Sequence, residues 1–261
     1  MSDFPLFWRE LGISWKKILG SRVNLVAMKR VDSTQRWARR VLERHLHEAE
    51  VPLPFAVVAY EQTDGHGRHL RPWWSASGRG VWATLVWPIE SLEEVNSLPL
   101  RTAVGLCQTV REVIGIDCRL KWPNDLLVGK EKLAGVLMDL IVRGRQRFGL
   151  IGFGMNVEHL PGELPAGIAT SIRCVCGLEV ITSGMFAPVL VLGVTAELDP
   201  KRDWHSRYLE WLVHQPGDVL RCRVGQEQCE GVFSGIDTAG FLWLETPSGR
   251  RVVHSGDVFG W

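Results

Sequence analysis

Apolar positions recur along this chain in two rhythms, one of helical spacing and one of short continuous or alternating runs. Residues 4–19 place Phe4, Phe7, Trp8, Leu11, Trp15, Ile18 and Leu19 at helical spacing, which predicts a short amphipathic helix. Residues 23–31 (VNLVAMKRV) predict a strand. Asp32-Ser33-Thr34 then supplies a capped turn, and Trp37, Ala38, Val41, Leu42, His45 and Leu46 predict the helix after it. The runs 55–60 (FAVVAY) and 81–87 (VWATLVW) predict buried strands, separated by a long polar stretch over 61–80. Leu100, Ala103, Val104, Cys107, Val110, Val113 and Ile114 predict a further helix. Strands are predicted at 117–122, 133–141 and 148–156, with Gly129 and Gly144 at the turns, followed by helices at 183–198 and 201–213.

Near Pro216-Gly217 the rhythm shortens. VLRCRV, CEGVFSGI, FLWLE and RRVVHS follow one another with turn residues between them, which suits a small five-strand barrel or sandwich. The expected organisation is therefore an α+β domain over residues 1–215 and a small β domain over 216–261.

Composition narrows the class of protein. The chain has 261 residues, 46% hydrophobic and 23% charged, as ordinary soluble domains do. Thirty Lys+Arg against 29 Asp+Glu leave a net charge of +1, without the basic excess needed to coat nucleic acid or an anionic membrane. No apolar run approaches the roughly 18 residues of a membrane span, and no secretory signal opens the chain, so a cytoplasmic protein is expected. Of six cysteines only Cys174 and Cys176 lie close together, without a partnering C-x-x-C pair or His cluster. Reduced thiols are expected, and no structural metal.

Four stretches can carry chemistry. Residues 61–73 (EQTDGHGRHLRPW) set Gly65 and Gly67 beside Arg68 and Arg71, a loop able to cradle a phosphate or carboxylate and equally able to be a solvated surface loop. Residues 121–126 (KWPNDL) end a strand with Lys121, Asn124 and Asp125, although a turn alone accounts for Pro-Asn-Asp. Lys132 opens the apolar run KLAGVLM, where it serves a ligand or snorkels at a sheet edge. The strand GFGMN alternates Gly152 and Gly154 before Asn156, the mark of a close ligand approach or of a bulge.

The order and spacing of Ser33-Thr34-Gln35, the Gly/Arg loop, Lys-Trp-Pro-Asn-Asp, Lys-Leu-Ala-Gly and Gly-Phe-Gly-Met-Asn closely resemble the biotin protein ligases over residues 30–157. The C-terminal segment looks like that family's SH3-like module. The resemblance implies a mixed sheet backed by helices. It also implies activation of biotin by ATP with Mg2+, giving biotinyl-5′-AMP, and transfer of biotin to a lysine of the biotin carboxyl carrier domain of a carboxylase. Carried over by position, Ser33, Thr34, Gln35, Gln62, His66, Gly67, Leu137, Gly152 and Gly154 line the biotin site. Arg68 and Lys132 are the catalytic cations, also touching biotin, and Gly65, Arg71, Trp73, Lys121, Asn124, Asp125 and Asn156 belong to the nucleotide side.

The loop departs from the family pattern Glu-Gln-Thr-Ala-Gly-Arg-Gly-Arg-x-Gly-Arg-x-Trp. Asp64 stands where alanine is usual, His66 where arginine is usual and Leu70 where glycine is usual. A histidine is mostly uncharged at neutral pH, so the loop is expected to retain the adenylate less tightly and with a stronger pH dependence. The residues ahead of the first catalytic strand are too few for the winged helix of bifunctional members, so neither repressor activity nor a nucleic-acid partner is expected. Family members occur as monomers and homodimers. A lipoate or octanoate ligase, and a non-catalytic biotin- or nucleotide-binding relative, are the competing readings.

Overall fold

The computed structural model describes residues 15–17, 23–48, 53–177 and 181–260. Among these residues eight strands form one sheet: β1 (Trp15–Lys17), β2 (Asn24–Met28), β3 (Phe55–Ala59), β4 (Gly80–Pro88), β5 (Arg119–Lys121), β6 (Asp125–Val128), β7 (Glu131–Arg143) and β8 (Gln146–Asn156). Their order is β1-β2-β3-β4-β8-β7-β6-β5. Only β2 and β3 run parallel, joined by the crossover helix α1 (Thr34–Glu48); the other neighbours are antiparallel. The sheet is therefore mixed.

Strand alternation sorts side chains onto two covered faces. Phe55 and Val57, with Val86 and Leu150, pack against Trp37, Ala38, Val41 and Leu42 of α1. Their neighbours Ala56, Leu85 and Ile151 point the other way, into a core shared with α2 (Leu98–Ile114) and, beyond the short helix α3 (Ile172–Cys176), with α4 (Ser183–Glu197). Covering both faces makes the strands read as continuous apolar runs. A charged clasp ties the second layer together. The buried Glu197 carboxylate accepts from Arg207 Nη1 and Nη2 of α5 (Trp204–Trp211) at 2.8 and 2.7 Å, and its carbonyl accepts from Arg101 Nε of α2 at 2.9 Å.

Residues 219–260 form a second, five-stranded antiparallel sheet: β9 (Val219–Val224), β10 (Glu227–Ile236), β11 (Leu242–Thr246), β12 (Gly249–Val253) and β13 (Asp257–Gly260), in the order β12-β11-β10-β9-β13. Its apolar face, including Leu220, Phe233, Leu242 and Leu244, is continuous with the main core. The two sheets are also joined by hydrogen bonds. Trp122 Nε1 donates to Gly240 O at 3.0 Å, and His205 Nε2 lies 2.7 Å from Ile236 O. The C-terminal sheet is thus docked on the first rather than tethered to it.

Several expectations need correction. Most of the helix predicted over 4–19 falls outside the described residues, but Trp15–Lys17 are extended and pair antiparallel with Asn24–Val26. There, backbone pairing to a sheet edge overrides helical spacing. The strand β6 and the helix α3 are not among the expected elements, and β13, the fifth strand of the small sheet, is expected in number but not in place; each is too short to show a period.

His214, in the turn leading to β9, is 1% exposed and packs edge-on against the Phe233 ring at 6.1 Å. Burial, with the Lys121 charge beside it, pushes its pKa down to about 4, against the opposing pull of Asp218. An unfolded histidine titrates near 6.5. Between about pH 4 and 6.5 the unfolded chain therefore takes up a proton that the folded chain refuses, and stability rises with pH across that window. Replacing His214 by Gln is expected to remove about 2 kcal/mol of the stability difference between pH 7 and pH 5. Urea midpoints of both proteins at the two pH values measure this, and parallel pH profiles would contradict it.

Candidate functional site

On the α1 face of the large sheet, three strand glycines lie side by side. Gly135 of β7 pairs with Gly154 of β8, and Gly152 stands two residues along, opposite Leu137 and Thr84. No side chain rises from these positions, and neighbours use the space. A Cβ at Gly152 would lie 2.6 Å from Gln35 Oε1, one at Gly154 2.6 Å from the Trp73 indole nitrogen, and one at Gly135 3.0 Å from Lys132 Nζ. Above this floor opens a cavity of about 700 Å³, a volume suited to a small molecule of cofactor size.

One end of the cavity is neutral and polar. Val31 and Gln62 form a parallel bridge, with Thr63 N donating to Val31 O at 3.0 Å, so the start of the polar loop is fastened beside the start of α1. Gln62 Oε1 then accepts from Thr34 N at 2.8 Å and from Thr34 Oγ1 at 3.0 Å, while Gln62 Nε2 donates to Ser75 Oγ at 2.9 Å. Thr84 Oγ1 lies 2.9 Å from Thr34 Oγ1 and 3.1 Å from Gln35 Oε1, and Gln35 Nε2 donates to Leu150 O at 2.9 Å. Ser33, Thr34, Gln35 and Thr84 are all buried. Rotamers in such a closed network are fixed before any ligand arrives.

The other end is cationic. Loop 61–80 doubles back on itself through Gln62 N→Ser75 O, Trp73 N→Gly65 O and Gly67 N→Arg71 O. That lacing brings Arg68, Arg71 and Trp73 over the floor. Lys132 Nζ is 2.6 Å from Asp125 Oδ1 and 5.1 Å from the centre of the Trp73 ring, placing one cation between a carboxylate and an aromatic face. Arg68 Nη1 donates to Gly256 O at 2.9 Å, pairs with Asp257 Oδ1 at 2.9 Å and lies 3.5 Å from Asn124 Oδ1. Burial, with Lys132 nearby, pulls the Lys121 pKa below the ordinary lysine range against the pull of Asp125 and Asp257. Five cationic side chains (Arg68, Arg71, Lys121, Lys132 and Arg223) line this cavity against two carboxylates, Asp125 and Asp257. A chain of net charge +1 thus concentrates positive charge at one place, as binding of a polyanion requires.

Nearly all the residues proposed from sequence meet here: Ser33, Thr34, Gln35, Gln62, His66, Gly67, Arg68, Arg71, Trp73, Lys121, Asn124, Asp125, Lys132, Leu137, Gly152 and Gly154 line one cavity. Two are not on its wall. Gly65 lies behind it, where a Cβ would meet Ser75 Oγ at 2.4 Å, so its bareness lets the loop cross itself. Asn156 is buried and donates from Nδ2 to Thr170 O at 3.0 Å. Of the loop's unusual residues, Asp64 pairs with Arg36 of α1 rather than facing the cavity. His66 is on the wall, its Nδ1 3.4 Å from the Asp64 carbonyl. Leu70 has φ 56°, a left-handed conformation natural to glycine and costly for leucine by about 1–2 kcal/mol.

The sequence reading missed Thr84, Ser75 and the contribution of the last sheet: Arg223, Asp257, Val258 and Phe259 close one side of the cavity. Thr84 had a signal, being the one hydroxyl in the apolar run VWATLVW. The last-sheet residues had none, since only tertiary docking brings them near.

The chain is similar to known proteins in sequence and in fold. Residues 27–156 match the Biotin/lipoate A/B protein ligase family, and residues 221–261 match the Biotin protein ligase C terminal domain. The chain is 30% identical over 247 residues to the bifunctional ligase/repressor BirA of Bacillus subtilis, covering 87% of this chain and 71% of that protein. It is 28% identical over 227 residues to the biotin–[acetyl-CoA-carboxylase] ligase of Paracoccus denitrificans, covering 78% and 89%. A biotin protein ligase from Aquifex aeolicus, solved in complex with biotin and ATP, superposes with a TM-score of 0.71 at 26% identity, covering 90% of this chain and 97% of that one.

Replacing Thr84 by Val keeps the shape of the wall and removes the hydroxyl between Thr34 and Gln35. A buried acceptor that loses its donor costs about 1–3 kcal/mol. Thr84→Val is therefore expected to lower stability by that amount and Thr84→Ser by much less, as read from urea unfolding; equal effects of the two would contradict the network.

Proposed function

Since the chain belongs to the biotin protein ligase family, we propose that the cavity binds biotin at its neutral end and ATP at its cationic end and makes biotinyl-5′-AMP between them. The observation that carries this reading is the gradient within one cavity, from the Thr34–Gln35–Gln62–Thr84 network to the cluster around Arg68 and Lys132. A ureido ring is uncharged and offers N–H donors and a carbonyl, which amide and hydroxyl side chains match. The dithiolane ring of a lipoyl group offers neither N–H donors nor a carbonyl, so these amide and hydroxyl groups suit it less well.

In the first step the biotin carboxylate oxygen attacks the α-phosphorus of ATP. An O–P bond forms, the α–β bridge breaks and pyrophosphate leaves. Both reactants are anionic, so Arg68 and Lys132 offset their repulsion and stabilise the charge that grows on the phosphoryl oxygens. Lys132 is held by Asp125 and Arg68 by Asp257 and Gly256 O, which fixes their positions before substrate arrives. The Trp73 Nε1–H, buried over Gly154 and without an acceptor among the described residues, suits an acceptor atom of the bound adenylate. In the second step the amine of an acceptor lysine attacks the acyl carbon, a C–N bond forms, AMP leaves, and the amine sheds a proton. The acceptor proposed is the biotin carboxyl carrier domain of a carboxylase.

Magnesium fits as an ion brought by ATP. Among the described residues no three His, Cys, Asp or Glu side chains converge, and the two cavity carboxylates already face cations. Asp125 is the side chain that would meet such an ion. When bound, the ion neutralises phosphate charge. Among the described residues no helix is long and apolar enough to cross a membrane. The six cysteines are free thiols, which suits a reducing cytoplasm.

The test is incubation with biotin, MgATP and a carboxyl carrier domain, with lipoate as the competitor substrate. Biotinylated acceptor is expected with biotin alone. Lys132→Ala and Arg68→Ala are each expected to slow biotinyl-AMP formation on the order of a hundredfold. Pyrophosphate release with lipoate but not biotin would overturn the assignment.

A further inference from the structure

Asp257, at the start of β13, reaches from the last sheet into the cavity. Its two oxygens serve different partners: Oδ1 lies 2.9 Å from Arg68 Nη1, and Oδ2 lies 3.1 Å from Arg71 Nη2 and 3.8 Å from His69 Nε2. The Arg68 and Asp257 side chains are 21% and 24% exposed, so this pair is better shielded than the surface pairs elsewhere on the chain. Across the strand pair Asp257 faces Arg223. The preceding residue adds to the grip. A Cβ on Gly256 would stand 2.5 Å from Arg223 O, so only a bare backbone brings the Gly256 carbonyl to Arg68.

The contacts on Arg68 are one-sided. Asp257, Gly256 O and Asn124 Oδ1 all meet Nη1. Among the described residues no partner is seen at Nη2 or Nε, on a side chain that lines the cavity. A guanidinium is a rigid plane, so fastening one corner fixes the direction of the remaining donors.

We propose that Asp257 is a positioning residue for adenylate formation: the C-terminal sheet grips Arg68 by Nη1 and so aims its Nε and Nη2 donors at the reacting phosphate. This rests on the ligase reading and adds to it a task for the last sheet. Asp257 touches no substrate itself. The charge matters because a carboxylate holds a guanidinium more strongly than a neutral acceptor of the same shape.

Single-turnover pyrophosphate release, measured on the full chain with saturating ATP and biotin, tests the proposal. Asp257→Asn is expected to slow adenylation about tenfold while leaving the KM for biotin within about twofold, and Asp257→Glu to restore most of the rate. In an Arg68→Ala background the same Asn substitution is expected to cost less than about twofold, because the group it positions is gone. A loss of equal size with and without Arg68 would show a merely structural role and overturn the proposal, as would an Asp257→Asn protein with unchanged adenylation. If the wild-type chain forms no biotinyl-AMP, the ligase reading itself fails, a result separable from either of these.

Discussion

The absence of three side chains is the constraint on which the site depends. Gly135, Gly152 and Gly154 leave the α1 face of the sheet bare, and Gln35, Lys132 and Trp73 lie down on that bareness. Elsewhere on the same face Phe55, Val57, Val86 and Leu150 fill the space under α1 with core. One strand, β8, thus changes from packing residue to floor within four positions, between Leu150 and Gly154. The floor is thus a layer of three side chains laid flat on bare strands, and what that layer can recognise falls to those side chains and to the rim around them.

Those rim groups come from separate pieces of chain held in register by backbone bonds. The β2–α1 turn and the start of the polar loop are fastened through Val31 and Thr63. The loop then closes on itself and on Asp257 of the last sheet. A long loop without such ties would sample many conformations and lose the positional advantage that catalysis by charge requires. The left-handed backbone at His69 and Leu70 belongs to this closure: it lets Arg68 and Arg71, on either side, reach the same carboxylate.

How much of this was legible in the sequence follows from the range of each signal. The alternation of β3, β4 and β8, the helical period of α2 and the glycine pairs are local, and they read correctly. Ser33, Thr34, Gln35, Arg68 and Lys132, grouped by the match of their order to a family pattern although no single segment specifies a site, do line one cavity. Gly65 and Asn156, grouped with them by the same pattern, are not on the wall: Gly65 lets the loop cross itself and Asn156 holds the Thr170 carbonyl. Asp257, Arg223 and Phe259 were illegible for a different reason. They join the cavity only through the docking of one sheet on another, by contacts such as Trp122 to Gly240, and no periodicity records that. Trp15–Lys17 failed through competition, a helical spacing losing to a partner strand.

The pairing of Lys132 and of Arg68 with a carboxylate explains how a site this positive stays folded. Unpaired and partly buried, Lys132 and Arg68 would repel each other and Lys121 while losing hydration. Asp125 and Asp257 relieve that, one from the large sheet and one from the small. Pairs that retain some exposure are individually weak, about 1 kcal/mol or less, so an incoming phosphate can share these cations without a large penalty. The Glu197 carboxylate, 2% exposed and clasped by Arg207, lies instead in the helical layer away from the cavity. The chain therefore sets its most deeply buried paired carboxylate in the architecture and keeps the partly exposed Asp125 and Asp257 among the cations of the cavity.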